Sequence, residues 1–136
     1  MSRIVIKVAA AVIEKEGKIL IGQRKRTDRH GLKWEFPGGK VEHGESAVMG
    51  LARELREELG IEAIIGPEIT RYEHRYPKRA MILLMFHRVT VFTGQPRSFA
   101  FEQIVWEAPE RLPEYDFLEG DTDFVKRLAT GEFLVT

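Results

Sequence analysis

The alternation of apolar and polar positions lays out most of the elements before any chemistry is considered. Ile4 to Ile13 is an apolar, β-branched run broken only by Lys7, and it predicts a largely buried strand. Glu14-Lys15-Glu16-Gly17 follows as a turn, with Gly17 free to take the positive φ such a turn needs. Lys18 to Arg24 is the return strand of that hairpin, and Thr27 to Leu32 is a polar loop. Between Ser46 and Gly60 the period becomes helical. At about 100° per residue, Val48, Leu51, Ala52, Leu55 and Leu59 share one side, suited to packing on a sheet. Ser46 is placed to cap the start of this helix, and Gly60 to end it in the left-handed conformation.

Beyond the helix, Glu62 to Tyr76 predicts one or two strands broken at Gly66-Pro67, and Pro77-Lys78 a hairpin turn. Met81 to Phe92 reads as one long central strand, with Met81 and Met85 on its core face, ended by Gly94-Gln95-Pro96. Ile104-Val105-Trp106 is a short strand, and Ala108 to Leu112 a single helical turn with Pro109 tolerated near its start. Gly120-Asp121 opens a last helix that turns Phe124, Val125 and Leu128 inward, capped by Asp121 or Thr122. There is no repeat, linker or low-complexity segment. Strands around one long helix, with a second helix at the end, predict an α+β domain with a mixed sheet and helices on its faces. At 136 residues a single domain is expected.

Composition narrows the function classes. Hydrophobic content of 43% and charged content of 31% are those of a globular chain. A formal net charge of zero offers no basic footprint for long nucleic acid, although a few local cations suffice for one nucleotide. The absence of cysteine excludes disulfides and thiolate metal sites. With neither a signal-type apolar segment nor a membrane-length apolar run, a cytoplasmic location is the default expectation.

Glu54, Glu57 and Glu58 share an arc of the helix apart from its apolar side, since positions three and four apart are neighbours. Carboxylates crowded in this way repel, and on most helices they form only a solvated acidic face. Two features favour a site instead. The arc follows a glycine-rich loop, and Arg53 stands beside it, able to orient or partly neutralise a carboxylate. Hard oxygen donors suit Mg²⁺, or Mn²⁺, which would offset the repulsion and bridge to phosphate oxygens. His30, His43, His74 and His87 have no ligand spacing and are read as non-metal.

Gly39, five residues, Glu45, seven residues, then Arg53-Glu54-Leu55-Arg56-Glu57-Glu58-Leu59-Gly60-Ile61 fills every fixed position of the Nudix box, residues 39–61. With average residue usage, a chance match to those positions is on the order of one in a billion per starting point. Lys33 to Glu42 also resembles the segment leading into the box in the MutT group, which hydrolyses nucleoside triphosphates. The resemblance implies one Nudix domain over residues 1–136, folded as an α/β/α sandwich around a mixed β-sheet. It implies Mg²⁺-dependent cleavage of a nucleoside triphosphate to monophosphate and pyrophosphate. An ADP-ribose or sugar-nucleotide pyrophosphatase is the alternative enzyme, with which Pro77, sixteen residues past the box, is compatible. A non-catalytic nucleotide sensor is the alternative of another class, but such domains usually lose box glutamates and this chain keeps them all.

On that pattern Glu54, Glu57 and Glu58 hold the metal together with the backbone carbonyl of Gly39, and one carboxylate takes a proton from water. Glu54, Glu57, Arg53 and Glu45 are the catalytic candidates, Glu45 as partner of Arg53 or peripheral ligand. Glu102, expected in the loop before the short strand, is a further metal candidate only through a loop shift, because Ala100 occupies the matching place. Arg24, Lys40 and Arg79 are expected phosphate or base contacts, although Arg79 also reads as an exposed turn charge. Glu35 and Phe36 match residues near the base, while Trp34 and Phe36 read equally well as core. Asp121 stands where the group carries a base-pairing asparagine, or serves only as the helix cap. An ionised aspartate accepts hydrogen bonds but cannot donate one, which weakens the oxidised-guanine reading. Gln103 to Trp106 looks more like the pyrimidine-nucleotide relatives. The expected partner is a small-molecule nucleotide, not long nucleic acid or a membrane, with the chain acting as a monomer or homodimer.

Overall fold

In the computed structural model, which describes residues 4–133, the first apolar run becomes β1 (Val5–Lys15), at the centre of a mixed sheet. β2 (Lys18–Arg24) returns antiparallel to it, and the turn between them is only Glu16-Gly17. Both turn residues have positive φ, 53° and 78°, the geometry whose twist suits a two-residue hairpin. This corrects the longer turn expected at 14–17, because Glu14 and Lys15 stay in the ladder opposite Ile19 and Lys18. Glu14 is thereby drawn into the interior, where its Oε2 lies 2.9 Å from Nε of Arg88.

β3 (Trp34–Glu35) pairs with β2, and β4 (Gly38–Lys40) with the first half of β1. α1 (Ala47–Leu59), β5 (Glu62–Ile64), β6 (Glu68–Arg75), β7 (Met81–Val89), β8 (Val91–Thr93) and β9 (Phe101–Glu107) follow. After 3₁₀ turns at Pro109–Glu114 and Glu119–Asp121, α2 (Thr122–Ala129) closes the described chain. β7 runs parallel to β1 from Val5↔Met81 to Ile13↔Val89, β6 lines its other edge antiparallel, and β9 extends the sheet beyond β2. A strand paired in this way and covered on both faces has to be apolar throughout. Ala9, Ala11 and Ile13 pack with Leu51, Leu55 and Leu59 of α1, whereas Ala10 and Val12 pack with Phe124, Val125 and Leu128 of α2. The helices therefore lie on opposite faces of the sheet, the expected α/β/α arrangement of an α+β fold.

α1 has the expected ends. Ser46 Oγ accepts from the Met49 N–H at 3.1 Å, and Gly60 takes φ 70° while its N–H reaches Arg56 O. Val48 is a correction, since it is 46% exposed. The packed ridge follows four-residue steps through Ala47, Leu51, Leu55 and Leu59, and Val48 lies one position around from it. Met81 to Phe92 also proves to be two strands. The in–out alternation slips at the exposed Thr90-Val91, and β8 leaves β7 to pair with β5 as a separate ribbon. Met85 is buried as expected, whereas Met81, at the strand start, is only partly covered. The last strand is longer than the apolar triplet suggested. It begins at Phe101, whose ring covers Gly22 so closely that a Cβ there would stand 2.6 Å from it. Among the described residues no helix is long and apolar enough to cross a membrane.

Candidate active site

The site forms where β4 meets α1. Gly38 has φ 152°, and a side chain there would strike the backbone carbonyl of Ala9. Gly39 is needed for a different reason, because its Cβ would stand 2.6 Å from the carboxyl carbon of Glu54. The two glycines thus bring bare backbone against the carboxylates of α1. The Gly38 N–H donates to Glu58 Oε1 at 3.0 Å. Burial, and then the charge of Glu35, push the Glu58 carboxyl up to about 9 against that hydrogen bond. Burial also raises Glu54, with Arg53 opposing the shift. Glu57, by contrast, is 59% exposed.

Arg53 organises this cluster. Its Nε and Nη2 donate to the two carboxyl oxygens of Glu45 at 3.2 and 2.8 Å. Its Nη1 donates to Glu54 Oε1 at 3.1 Å and to Glu57 Oε2 at 3.3 Å, and Nη2 also reaches Lys40 O at 3.3 Å. Glu45 is fixed in turn by the Glu42 N–H at 2.8 Å, and Arg53 with that amide holds its carboxyl below the usual range. Glu45 is therefore a partner of Arg53, the first of the two roles expected for it.

A second group of charges lies toward β2 and the loop after it. Arg24 Nη1 donates to Glu35 Oε1 at 2.9 Å, and its Nε to Arg29 O at 2.7 Å. Burial raises Glu35 despite that ion pair. Arg24, Arg29, Arg79 and Lys33 all act on His30, whose pKa is lowered by burial and then by these charges. Arg79 thus belongs to a basic rim, while Lys40 is exposed on β4. His30, read from sequence as a simple loop residue, marks the centre of that rim and packs against Tyr76 at 5.4 Å between ring centroids.

Phe36 is only 3% exposed, with its ring among Phe86, Phe117 and Phe124, so it is core and does not present a stacking wall. Asp121 is buried and makes no capping hydrogen bond, which corrects the cap alternative. The preceding 3₁₀ turn already bonds the Asp121 N–H to Leu118 O, and Thr122 Oγ1 donates to Glu119 O. Burial and the charge of Glu35 push the Asp121 carboxyl up to about 8, opposed by a hydrogen bond to the Phe36 backbone. Below that value it is neutral and can donate as well as accept. Glu102 is exposed within β9, not in the loop before it.

The donor set suits a hard divalent cation. Glu54 and Glu58 are held where burial and neighbouring carboxylates disfavour their charge, and a cation would relieve that cost. Among the described residues the side chains do not converge into a closed cage of three or more ligands. Mg²⁺ keeps several waters and binds through one or two carboxylates beside substrate oxygens, so it does not require such a cage.

A pH experiment follows from the raised groups. In the unfolded chain carboxyls ionise at ordinary values, whereas Glu58 and Asp121 hold their protons up to about 9 and about 8. The native state therefore binds more protons across that interval, and the metal-free melting temperature should fall as pH rises from 5 toward 9. Saturating Mg²⁺ should shrink the fall if the ionised carboxylates hold it. Melting curves with EDTA and with Mg²⁺ test this, and a metal-free profile that rises with pH would contradict it.

The NUDIX domain family matches residues 4–128. A CTP pyrophosphohydrolase of Escherichia coli K12 is 43% identical over 117 residues, 85% of each chain. An 8-oxo-dGTP diphosphatase of Haemophilus influenzae is 33% identical over 129 residues, 94% of each chain. The solution structure of the E. coli ORF135 protein superposes with a TM-score of 0.82 at 38% identity, covering 91% of this chain and 88% of that one.

Proposed function

This chain belongs to the Nudix family and is a Nudix hydrolase, and from that premise we propose that it cleaves a nucleoside triphosphate, standard or damaged, to monophosphate and pyrophosphate with Mg²⁺ or Mn²⁺. The observation that carries this reading is the set of box carboxylates gathered by Arg53 against the bare Gly38-Gly39 backbone. Glu54, Glu57 and Glu58, with the Gly39 carbonyl, are the residues that would hold the ion. When bound, the ion supplies charge neutralisation at phosphate oxygens and a more acidic water.

The rest is work for the chain's own side chains. Arg53 keeps Glu54 and Glu57 oriented, and Glu45 keeps Arg53 in place. Glu54 or Glu57 accepts the proton from the attacking water. Lys40 and the rim of Arg24 and Arg79 take the phosphate charge, drawing a small anionic nucleotide from a cytoplasmic pool. Asp121 and Glu35 face the base, and a neutral Asp121 offers the same donor and acceptor pair as an amide.

A panel of CTP, dCTP, dGTP, 8-oxo-dGTP and ADP-ribose, each with Mg²⁺, tests the proposal. Pyrophosphate release from a triphosphate supports it. Turnover of ADP-ribose alone would favour the sugar-nucleotide alternative, and binding without release would favour a sensor. Repeating the panel across pH tests Asp121. The nucleotide ranking should shift by about tenfold as pH passes its pKa, the scale of one hydrogen bond to a charged group. Asp121→Asn should flatten that shift while leaving the neutral-pH ranking near that of the parent. A parent ranking independent of pH would remove Asp121 from base reading.

A further inference from the structure

The residue before Asp121 is held in an unusual way. Gly120 is buried in the 3₁₀ turn that precedes α2, and both of its backbone groups bond to side chains on and just past the distant strand β6. The Tyr72 hydroxyl donates to Gly120 O at 2.6 Å, and the Gly120 N–H donates to the Tyr76 hydroxyl at 2.9 Å. Tyr72, His74 and Tyr76 alternate inward along β6 and just past its end, while Arg71, Glu73 and Arg75 are exposed. A Cβ on Gly120 would stand 3.0 Å from the Tyr76 hydroxyl oxygen and 3.3 Å from Cδ2 of His74, so the turn is seated directly on this face. The Asp121 carboxyl takes a hydrogen bond from the Phe36 backbone and makes no capping bond. The backbone that carries it is fixed one peptide unit away, at Gly120.

We propose that Tyr72 and Tyr76 are positioning residues for base selection, a two-hydroxyl clamp on Gly120 that aims Asp121 into the nucleotide site. This rests on the assignment of Asp121 to the base. The Tyr72 hydroxyl also takes a hydrogen bond from the Phe124 backbone N–H in the first turn of α2, so one side chain ties the Gly120 turn to the helix start. Buried backbone groups need partners, but one hydroxyl on each side fixes direction as well as satisfaction. Tyr76 also packs on His30, within the basic rim, so it links the base-facing turn to the phosphate side.

Tyr72→Phe and Tyr76→Phe each remove one hydroxyl and keep the ring. With Mg²⁺ and the same nucleotide panel, each should raise KM for the preferred triphosphate about fivefold and compress the spread of kcat/KM by a similar factor, with kcat held within about twofold. Gly120→Ala keeps both hydroxyls but pushes the turn off them, and it should compress the ranking in the same direction. Asp121→Ala, measured in parallel, separates the two layers of the argument. If Asp121→Ala alters the ranking and the other three variants do not, the clamp is overturned and base reading by Asp121 stands. If Asp121→Ala leaves the ranking unchanged, base reading fails and the clamp proposal with it. A fall in kcat that is equal for all nucleotides, with the ranking intact, marks a purely structural contact and also overturns it.

Discussion

Glu58→Gln is expected to lower Mg²⁺-dependent turnover by at least about a hundredfold, the scale of removing a group on which charge stabilisation depends. The amide preserves the acceptor for the Gly38 N–H at 3.0 Å, so the loop between β4 and α1 should keep its shape. What it removes is the capacity to become negative beside a cation. In the metal-free protein that capacity is a liability, because burial already pushes the carboxyl up to about 9. The variant should therefore melt at least as high as the parent without metal, with the largest gain above pH 8, and should gain less from added Mg²⁺. Steady-state kinetics and melting curves with EDTA and Mg²⁺ read all of this together. A variant with parental turnover would remove α1 as the metal-binding element.

Arg53→Ala has the second largest expected effect, and it acts through position. One guanidinium holds Glu45, Glu54, Glu57 and the Lys40 carbonyl at 2.8 to 3.3 Å. Its loss frees two candidate ligands at once and leaves Glu45 without its cation. Turnover should fall about ten- to a hundredfold, as when outer-shell partners of metal ligands are removed, with weaker Mg²⁺ affinity and a lower melting temperature. Arg53→Lys should recover little, because an ammonium cannot reproduce the planar fork that meets Glu45 with two nitrogens. Unchanged Mg²⁺ affinity and turnover in Arg53→Ala would show that the carboxylates need no such support.

Much of this was legible in the order of residues because local rules decided it. The period of Leu51, Leu55 and Leu59, the cap at Ser46 and the left-handed Gly60 specify α1 without reference to the rest of the chain. The apolar run of β1, broken only by Lys7, announces burial on both faces, which a covered central strand satisfies. The box spacing placed Arg53 next to Glu57 because residues four apart on a helix are neighbours, and that contact follows. Where local rules competed, the pattern misled. Met81 to Phe92 is apolar through two strands, and only the change of neighbour from β6 to β5 divides them.

The sequence by itself determined the family, the helix that carries the carboxylates and the chemistry of the ion they suit. Each of these depends on residues close together in the chain. Tertiary structure alone decided which groups are protonated and which are aimed. Glu58 and Glu35 lie far apart in sequence, and it is their proximity and burial that raise Glu58. Phe36 reads as a base contact until Phe86, Phe117 and Phe124 close around it. Asp121 reads as an ionised cap until the fold buries it and seats Gly120 on Tyr72 of β6 and Tyr76 just past it. Desolvation and long-range hydrogen bonding depend on what surrounds a group in space, and a linear pattern carries no record of that.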